Sequence, residues 1–471
     1  MKALLSAMLI ILTHCGFGQD SVAANQLAQI VPASQTMANA AAPVVISLNE
    51  AIRRAEQNQP NFANAVAAQR AAARDRSIAR AALLPNVRYH NEYLYTESSG
   101  ARNAGKHAGK QAGNSDSFVF LPNNAIHEYV SQAIVTETLG LGSIGQVKRA
   151  NAAAAQASAL AEIAQRGLVF TVVQQYYGVF AAEQRLQVAK RAAAEASRFV
   201  DLTQKLERGE EVAHADVVKA QLQLQQRQRD LEDAQLLAEN ARLELGILLF
   251  PDPRTNYVIG DDWKQEPPVP DKVDVDAAAQ RNNPDVRSAM EALRAAGEDI
   301  SIARAAYFPN LSLNWTYGID APQVAVNGPL DMQLDPPVKP RNLGYSAFVS
   351  LDIPVWDWFA THDRVKQSEF RKTAAKVMLT YTQKRLLANL DEFYHDAEVA
   401  GKQVASLKQS VQTAADSLRL TNLRYRASEA TVLEVVDAQN ALSLAETAYA
   451  NGAVRYRAAL ANLQTLTGVL P

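Results

Sequence analysis

Glu434 and Asp437 stand three residues apart, so a helix would carry both carboxylates on one face. Such a pair can hold cations or can simply solvate a helix, and spacing alone leaves both open. Gly140-Leu141-Gly142-Ser143-Ile144-Gly145 has the GxGxxG spacing of a turn that cradles phosphate. A dinucleotide site would also need a second parallel strand within about 30 residues, with an acid near its end. Here a helical pattern continues past Arg208 instead, and the glycines read as a bend between a strand and a helix. His14, His90, His107, His127, His214, His362 and His395 are scattered without HExxH or other compact ligand spacing. No serine sits in a GxSxG elbow, and no P-loop occurs. These residues predict no enzyme, no metal centre and no cofactor.

The totals narrow the rest. Of 471 residues, 48% are hydrophobic and 20% charged, and much of the apolar share is alanine. Alanine favours helices that approach closely more than it favours a thick core. A net charge of −2 without a basic run argues against nucleic acid. The single cysteine, Cys15, excludes a disulfide framework and a Cys-based zinc cluster. Lys2 precedes an apolar run from Ala3 to Leu12, and Gly16 and Gly18 supply a small-x-small pattern, so residues 1–18 read as a signal peptide. A lipidation reading competes, because Leu12-Thr13-His14-Cys15 resembles a lipobox with His14 in the place of a small residue. Residues 19–46 read as a flexible segment. No later stretch offers about eighteen uninterrupted apolar residues, so any membrane insertion must use strands.

The chain repeats itself. Asn58-Gln59-Pro60 returns as Asn282-Asn283-Pro284, and 16 of 30 positions agree between 58–87 and 282–311. The block Asp75, Ser77-Ile78-Ala79-Arg80-Ala81-Ala82, Pro85-Asn86 meets Asp299, Ser301-Ile302-Ala303-Arg304-Ala305-Ala306, Pro309-Asn310. Farther on the offset becomes 218, where Val217-Val218 meets Val435-Val436 and Ala220-Gln221 meets Ala438-Gln439. The repeats span 47–250 and 273–468, joined by a linker at 251–272.

Each repeat reads alike. A helix (48–82 and 274–306) ends before a proline. A strand follows: Leu311, Leu313, Trp315, Tyr317 and Ile319 alternate with polar residues, as do Val87, Tyr89, Tyr93 and Tyr95. One apolar, aromatic-rich face suits a strand with lipid on one side and water on the other, although a half-buried soluble strand alternates too. Long loops, 98–126 and 320–341, lead to return strands near 127–139 and 343–354, where Phe348 breaks the alternation. Four strands cannot close a barrel and an open edge in lipid is not viable, so a membrane reading requires several chains to share one barrel. Proline-free helices then run from Val147 to Arg208 and from Val365 to Arg426, about 90 Å each. Turns at Gly209–Val212 and Ala427–Ala430 reverse the chain. The return helices carry heptads, Val217, Leu224, Leu231, Ala238, Leu245 and Val435, Leu442, Tyr449, Tyr456, Leu463, each beside a mostly small-residue seam in which Arg227 is out of character.

The duplicated Asn-x-Pro…Asp-x-Ser-Ile-Ala-Arg-Ala-Ala-x-x-Pro-Asn block and the turn running from Arg424 to Gln439 resemble the TolC-like outer-membrane efflux family over residues 45 to 468. The resemblance implies a mainly α fold with a membrane β-barrel part. In that arrangement a homotrimer forms a twelve-stranded barrel, and the helical hairpins continue it as a periplasmic tunnel. It implies a passive conduit for efflux or type I secretion, with a periplasmic adaptor, an inner-membrane pump of RND or ABC type and outer-membrane lipid as partners. Glu434 and Asp437 match the acidic ring at the tunnel entrance, where three chains would gather six carboxylates. Asp216 and Tyr425 match a tip latch, in which Ala430 replaces an expected arginine. Gly209, Glu210 and Glu211, with Ala427, Ser428 and Glu429, match the adaptor contacts. A periplasmic adaptor and a structural coiled coil are the competing readings; an adaptor usually has one hairpin, and a coiled coil has no membrane strands.

Overall fold

The computed structural model describes residues 44–95, 127–260, 267–321, 323–328, 339–427 and 429–468. The expected signal peptide with Cys15, the loop 98–126 with His107, and Ser428 lie outside the described residues. Residues 44–45 and 256–258 are the described part of one compact unit. There the Val44 amide donates to the Asn256 carbonyl at 3.4 Å, within a two-stranded sheet of β1 (Val44–Ile46) and the later strand Tyr257–Ile259, β4. Strand β1 thus lies at the end of the expected flexible segment, and β4 lies inside the expected linker.

The other unit holds the repeats. Where one helix was expected at the head of each repeat, the structure has two. Helix α1 (Leu48–Asn58) and α2 (Pro60–Ala81) break at Gln59, with φ −81 and ψ 115. Their counterparts α5 (Lys272–Asn282) and α6 (Pro284–Ala305) break at Asn283, with φ −69 and ψ 118. Proline forces the residue before it out of helical geometry, yet its own φ suits a first helical position, so one helix stops and the next starts at once. Both caps confirm the restart. The Asn61 amide donates to Gln59 at 3.3 Å and the Val286 amide to Asn283 Oδ1 at 2.9 Å. The Asn58 side chain also donates to the Leu249 carbonyl at 2.8 Å, tying the break to the end of the first hairpin.

Four strands form one antiparallel sheet in the order β2 (Asn86–Tyr95), β3 (His127–Leu139), β5 (Asn310–Ala321) and β6 (Leu343–Asp352). The register sets Val87, Val135, Trp315 and Ala347 side by side, with Tyr89, Ala133, Tyr317 and Tyr345 as the next row on that face. The period-two pattern thus becomes a mostly apolar face, interrupted by Glu137 opposite Leu313 and by Asn91 and Ser131, and it is open: Tyr345 is 78% exposed and Val87 71%. Arg88, His90, Glu92, Gln132 and Asp320 line the other face, where His90 Nε2 and Glu92 Oε2 meet at 3.1 Å. Phe348 does lie on this polar face, opposite Asn314, and stays exposed. The edges of β2 and β6 have no partner strand among the described residues.

Each sheet half runs into a hairpin, α3 (Leu141–Arg208) with α4 (His214–Leu249), and α7 (Ala360–Arg426) with α8 (Val432–Thr467). At 68 and 67 residues, α3 and α7 are each about 100 Å long. Both begin earlier than Val147 and Val365. Of the three motif glycines, only Gly140 is at the bend, as the residue before α3; Gly142 and Gly145 are inside the helix. A Cβ on Gly145 would come within 2.7 Å of Ile302, so that glycine lets α3 and α6 touch. The matching bend before α7 instead carries Trp358 and Phe359 at φ 55 and 66, left-handed geometry that costs a non-glycine residue about 1–2 kcal/mol.

Both heptad rows, Val217 to Leu245 and Val435 to Leu463, are buried or half-buried, and so is Arg227 beside them. Arg227 donates to Asp230 and to Asn440 Oδ1, forming a polar layer between α4 and α8. No described helix is long and apolar enough to cross a membrane.

A buried arginine locks the repeats together. Arg166, on α3, is 6% exposed. Its Nη1 donates to the Thr465 carbonyl at 2.7 Å, and its Nη2 donates to the Asn282 carbonyl at 3.0 Å and to Glu162 Oε1 at 2.5 Å. It thereby satisfies the carbonyl ends of both α8 and α5, where a cation is favoured by the helix dipole.

Candidate functional site

The residues singled out from the sequence converge at the two hairpin turns, and the turns are built differently. In the first, Gly209 follows α3, and its amide reaches back to the Lys205 carbonyl at 3.2 Å. Glu210 takes the left-handed position with φ 60. His214 Nδ1 and Glu207 Oε1 meet across the turn at 2.7 Å. Glu210 and Glu211 are exposed.

In the second turn, Thr431 and Glu434 form a capping box. Thr431 Oγ1 accepts from the Glu434 amide at 3.3 Å, and Glu434 Oε1 accepts from the Thr431 amide at 3.1 Å. Arg424 spans the turn from the end of α7. Its Nη1 donates to Glu434 Oε2 at 3.2 Å and its Nη2 to the Glu429 carbonyl at 3.0 Å. The Thr431 backbone amide, the Thr431 hydroxyl and the Arg424 charge together hold the Glu434 carboxyl below the usual glutamate range. Asp437 is exposed and has no hydrogen-bond or ion-pair partner among the described residues. The acidic pair thus has two different members. Glu434 fastens the turn, while Asp437 faces solvent with its charge free. Between Arg424 and Asp437 the carboxylates of Glu429, Glu434 and Asp437 and the guanidinium groups of Arg424 and Arg426 leave a single net negative charge.

The latch residues come close without joining. Asp216 lies 3.5 Å from Lys219. Tyr425 is 3% exposed and turns its hydroxyl to Thr203 Oγ1 at 3.4 Å, with its ring 5.1 Å from that of Phe199. Burial chiefly, and the Asp216 charge nearby, push the Tyr425 hydroxyl above the ordinary tyrosine value. Phe199, Val200, Ala220, Tyr425, Val432 and Val435 form one cluster joining the two hairpins, against which Ala430 packs. The place expected to hold an arginine is therefore apolar here. Sequence reasoning missed the role of Arg424 and this cluster. A cation ten residues before the acid, across the turn between α7 and α8, was the available signal.

Among the described residues, no group of three or more His, Cys, Asp or Glu gathers as a metal site would require.

Residues 277–469 match the outer membrane efflux protein family. The outer membrane protein OprJ of Pseudomonas aeruginosa is 24% identical over 180 residues, 38% of this chain and 36% of OprJ. The pyoverdine export outer membrane protein OpmQ of the same species is 27% identical over 190 residues, 40% of this chain and 35% of OpmQ. The matched stretch thus spans about a third of the length of these curated relatives. The crystal structure of the Campylobacter jejuni CmeC outer membrane channel has a TM-score of 0.73 at 17% identity, covering 89% of this chain and 85% of that one. The second repeat thus matches the outer membrane efflux protein family, the duplication ties the first repeat to it, and the fold along most of the chain is similar to that of a solved outer membrane channel.

Proposed function

We propose that this chain is the outer-membrane channel of a tripartite efflux or type I secretion system, working as a passive conduit and not as an enzyme. The observation that carries the reading is the four-stranded sheet: one face is mostly apolar and open, both edges are unpaired among the described residues, and the strands lead directly into long helical hairpins. Open edges cost several kcal/mol per unsatisfied group in hydrocarbon, so several copies must pair β6 with β2, and three copies, as in the family the chain resembles, close a barrel of twelve strands. The hairpins then continue the lumen into the periplasm, with their turns presented to a periplasmic adaptor and its inner-membrane pump of RND or ABC type. Substrate choice rests with that pump. The purified protein should extract from outer membranes only in detergent and conduct ions in planar bilayers. A water-soluble periplasmic protein without conductance would overturn the proposal.

Asp437 carries the selectivity of the entrance and Glu434 its rigidity. Asp437→Asn should lower the cation-to-anion permeability ratio on the order of twofold. Arg424→Gln should raise it, because the Glu434 charge is no longer offset at close range. Bi-ionic reversal potentials measure both, and an unchanged ratio in Asp437→Asn removes that residue from the mechanism.

The turn should also respond to acid. Because the native Glu434 carboxyl titrates below the ordinary value of 4.5, its contribution is present above that value and is lost as pH falls through the lower native one. Amide exchange at Thr431–Val435 should therefore accelerate below about pH 4.5 in the native chain beyond its intrinsic pH dependence, and show no such step in Glu434→Gln. Identical profiles in the two chains would contradict this role.

A further inference from the structure

Away from the second turn, α3, α7 and α8 leave between them a cleft of about 500 Å³ that the channel reading does not use. Residues 188–198 of α3, 415–422 of α7 and 439–446 of α8 supply its lining. Val188, Ala192, Leu418 and Leu442 give it apolar walls. Lys190, Arg191, Arg198 and Arg419 stand around them against Glu195 and Glu446, so the lining carries two positive charges in excess. Arg191 is spent on Glu446, to which its Nη2 donates at 2.9 Å. Arg198 lies 3.7 Å from Glu195, and Arg419 lies 3.6 Å from Asp416, which flanks the cleft. Both separations exceed a hydrogen bond, so these two guanidinium groups are held in place while their N–H donors stay available.

Gln439 completes the cleft. It is 7% exposed, and its Nε2 is shut from solvent with no hydrogen-bond partner among the described residues. A buried donor without an acceptor is unfavourable, and native proteins keep few of them. A half-turn of the terminal amide exchanges its nitrogen and oxygen with little change in packing, so the donor can meet an acceptor that enters the cleft. The duplication offers a comparison. Gln221, the counterpart of Gln439, is exposed. At the positions 218 residues from Arg191, Arg198 and Arg419 stand Gln409, Asp416 and Asp201. The three guanidinium groups therefore collect on one of two repeated surfaces, around the one buried amide. We propose that this cleft binds an organic carboxylate with an apolar body. Arg198, Arg419 and the Gln439 amide hold the carboxylate, and Val188, Leu418 and Leu442 cover the body. Guanidinium forks match carboxylate geometry, while a bare inorganic anion would leave the apolar walls wet. The bound molecule ties the first hairpin to the second, one helical turn from the Tyr425 cluster.

Isothermal titration of the detergent-solubilised protein with naphthoate, and with neutral naphthamide, tests the site against a blank of protein-free micelles. The carboxylate should bind at least about tenfold more tightly than the amide. Arg198→Gln combined with Arg419→Gln, at two exposed positions, should remove that preference. Gln439→Leu should weaken naphthoate about tenfold, yet leave the denaturation midpoint of the unliganded protein unchanged or higher, because leucine has no donor to satisfy. Equal binding of acid and amide, or undiminished binding in the double arginine variant, would overturn the proposal. A lowered midpoint in unliganded Gln439→Leu would overturn it too, by showing that the assembled protein already gives that amide a partner.

Discussion

Arg166→Met is expected to destabilise the detergent-solubilised protein by about 3–5 kcal/mol, a large effect for one substitution. The guanidinium is almost fully buried and donates to carbonyls at the ends of α8 and α5. Methionine matches much of its bulk but leaves those carbonyls without partners, each costing about 1–3 kcal/mol when desolvated. Glu162 keeps a second cation, because Arg287 also binds it, so the loss comes from the orphaned carbonyls more than from a stranded acid. Denaturant unfolding measures the energy. Amide exchange then locates it, with Thr465–Gly468 and Lys272–Asn282 losing protection first. Arg166→Lys should recover only part, since one ammonium cannot reproduce a fork that reaches three acceptors. Unchanged protection at the end of α8 would contradict this role.

At Tyr425 the expected result depends on which side of the ring matters. Tyr425→Ala should cost about 3–5 kcal/mol and loosen the two hairpins from each other, because it empties the centre of the cluster shared by Phe199, Val432 and Val435. Tyr425→Phe should cost only about 1 kcal/mol, since it removes one long hydrogen bond to Thr203 and leaves the packing. The effects divide differently if the hydroxyl latches neighbouring chains. Phenylalanine would then open the channel as readily as alanine. Single-channel conductance of both variants in planar bilayers distinguishes the two: a closed Tyr425→Phe with a leaky Tyr425→Ala supports packing, and two equally leaky variants support a latch.

The difference between these residues also shows what a sequence reveals. The sheet was legible because only an extended strand turns every second residue of Leu311–Ile319 to one face, and because Pro309 must end a helix before it. Strand β3 has the expected ends, His127 and Leu139. The hairpin seams were legible because seven-residue spacing survives duplication. The break at Gln59 and Asn283 was written in the same Asn-x-Pro motif that exposed the repeat, but helical patterns on both sides concealed it. Arg166 could not be found, because its partners are backbone carbonyls 116 and 299 residues away, which leave no mark on residue type. The proposed gate was half legible. The acidic pair was visible, while the different duties of Glu434 and Asp437 depend on Arg424 crossing a turn whose closure the spacing does not show. The strain at Trp358 and Phe359 had no sequence signal beyond the contrast with Gly140.

The proposed conduit depends on several chains, three in this proposal, sharing one barrel, because a four-stranded sheet whose two edges are unpaired among the described residues has no place in lipid. Native mass spectrometry of protein extracted in detergent from outer membranes tests that point most directly. A trimer that stays together until the strands themselves unfold is the predicted result. A monomer recovered from the soluble periplasmic fraction would contradict the shared barrel.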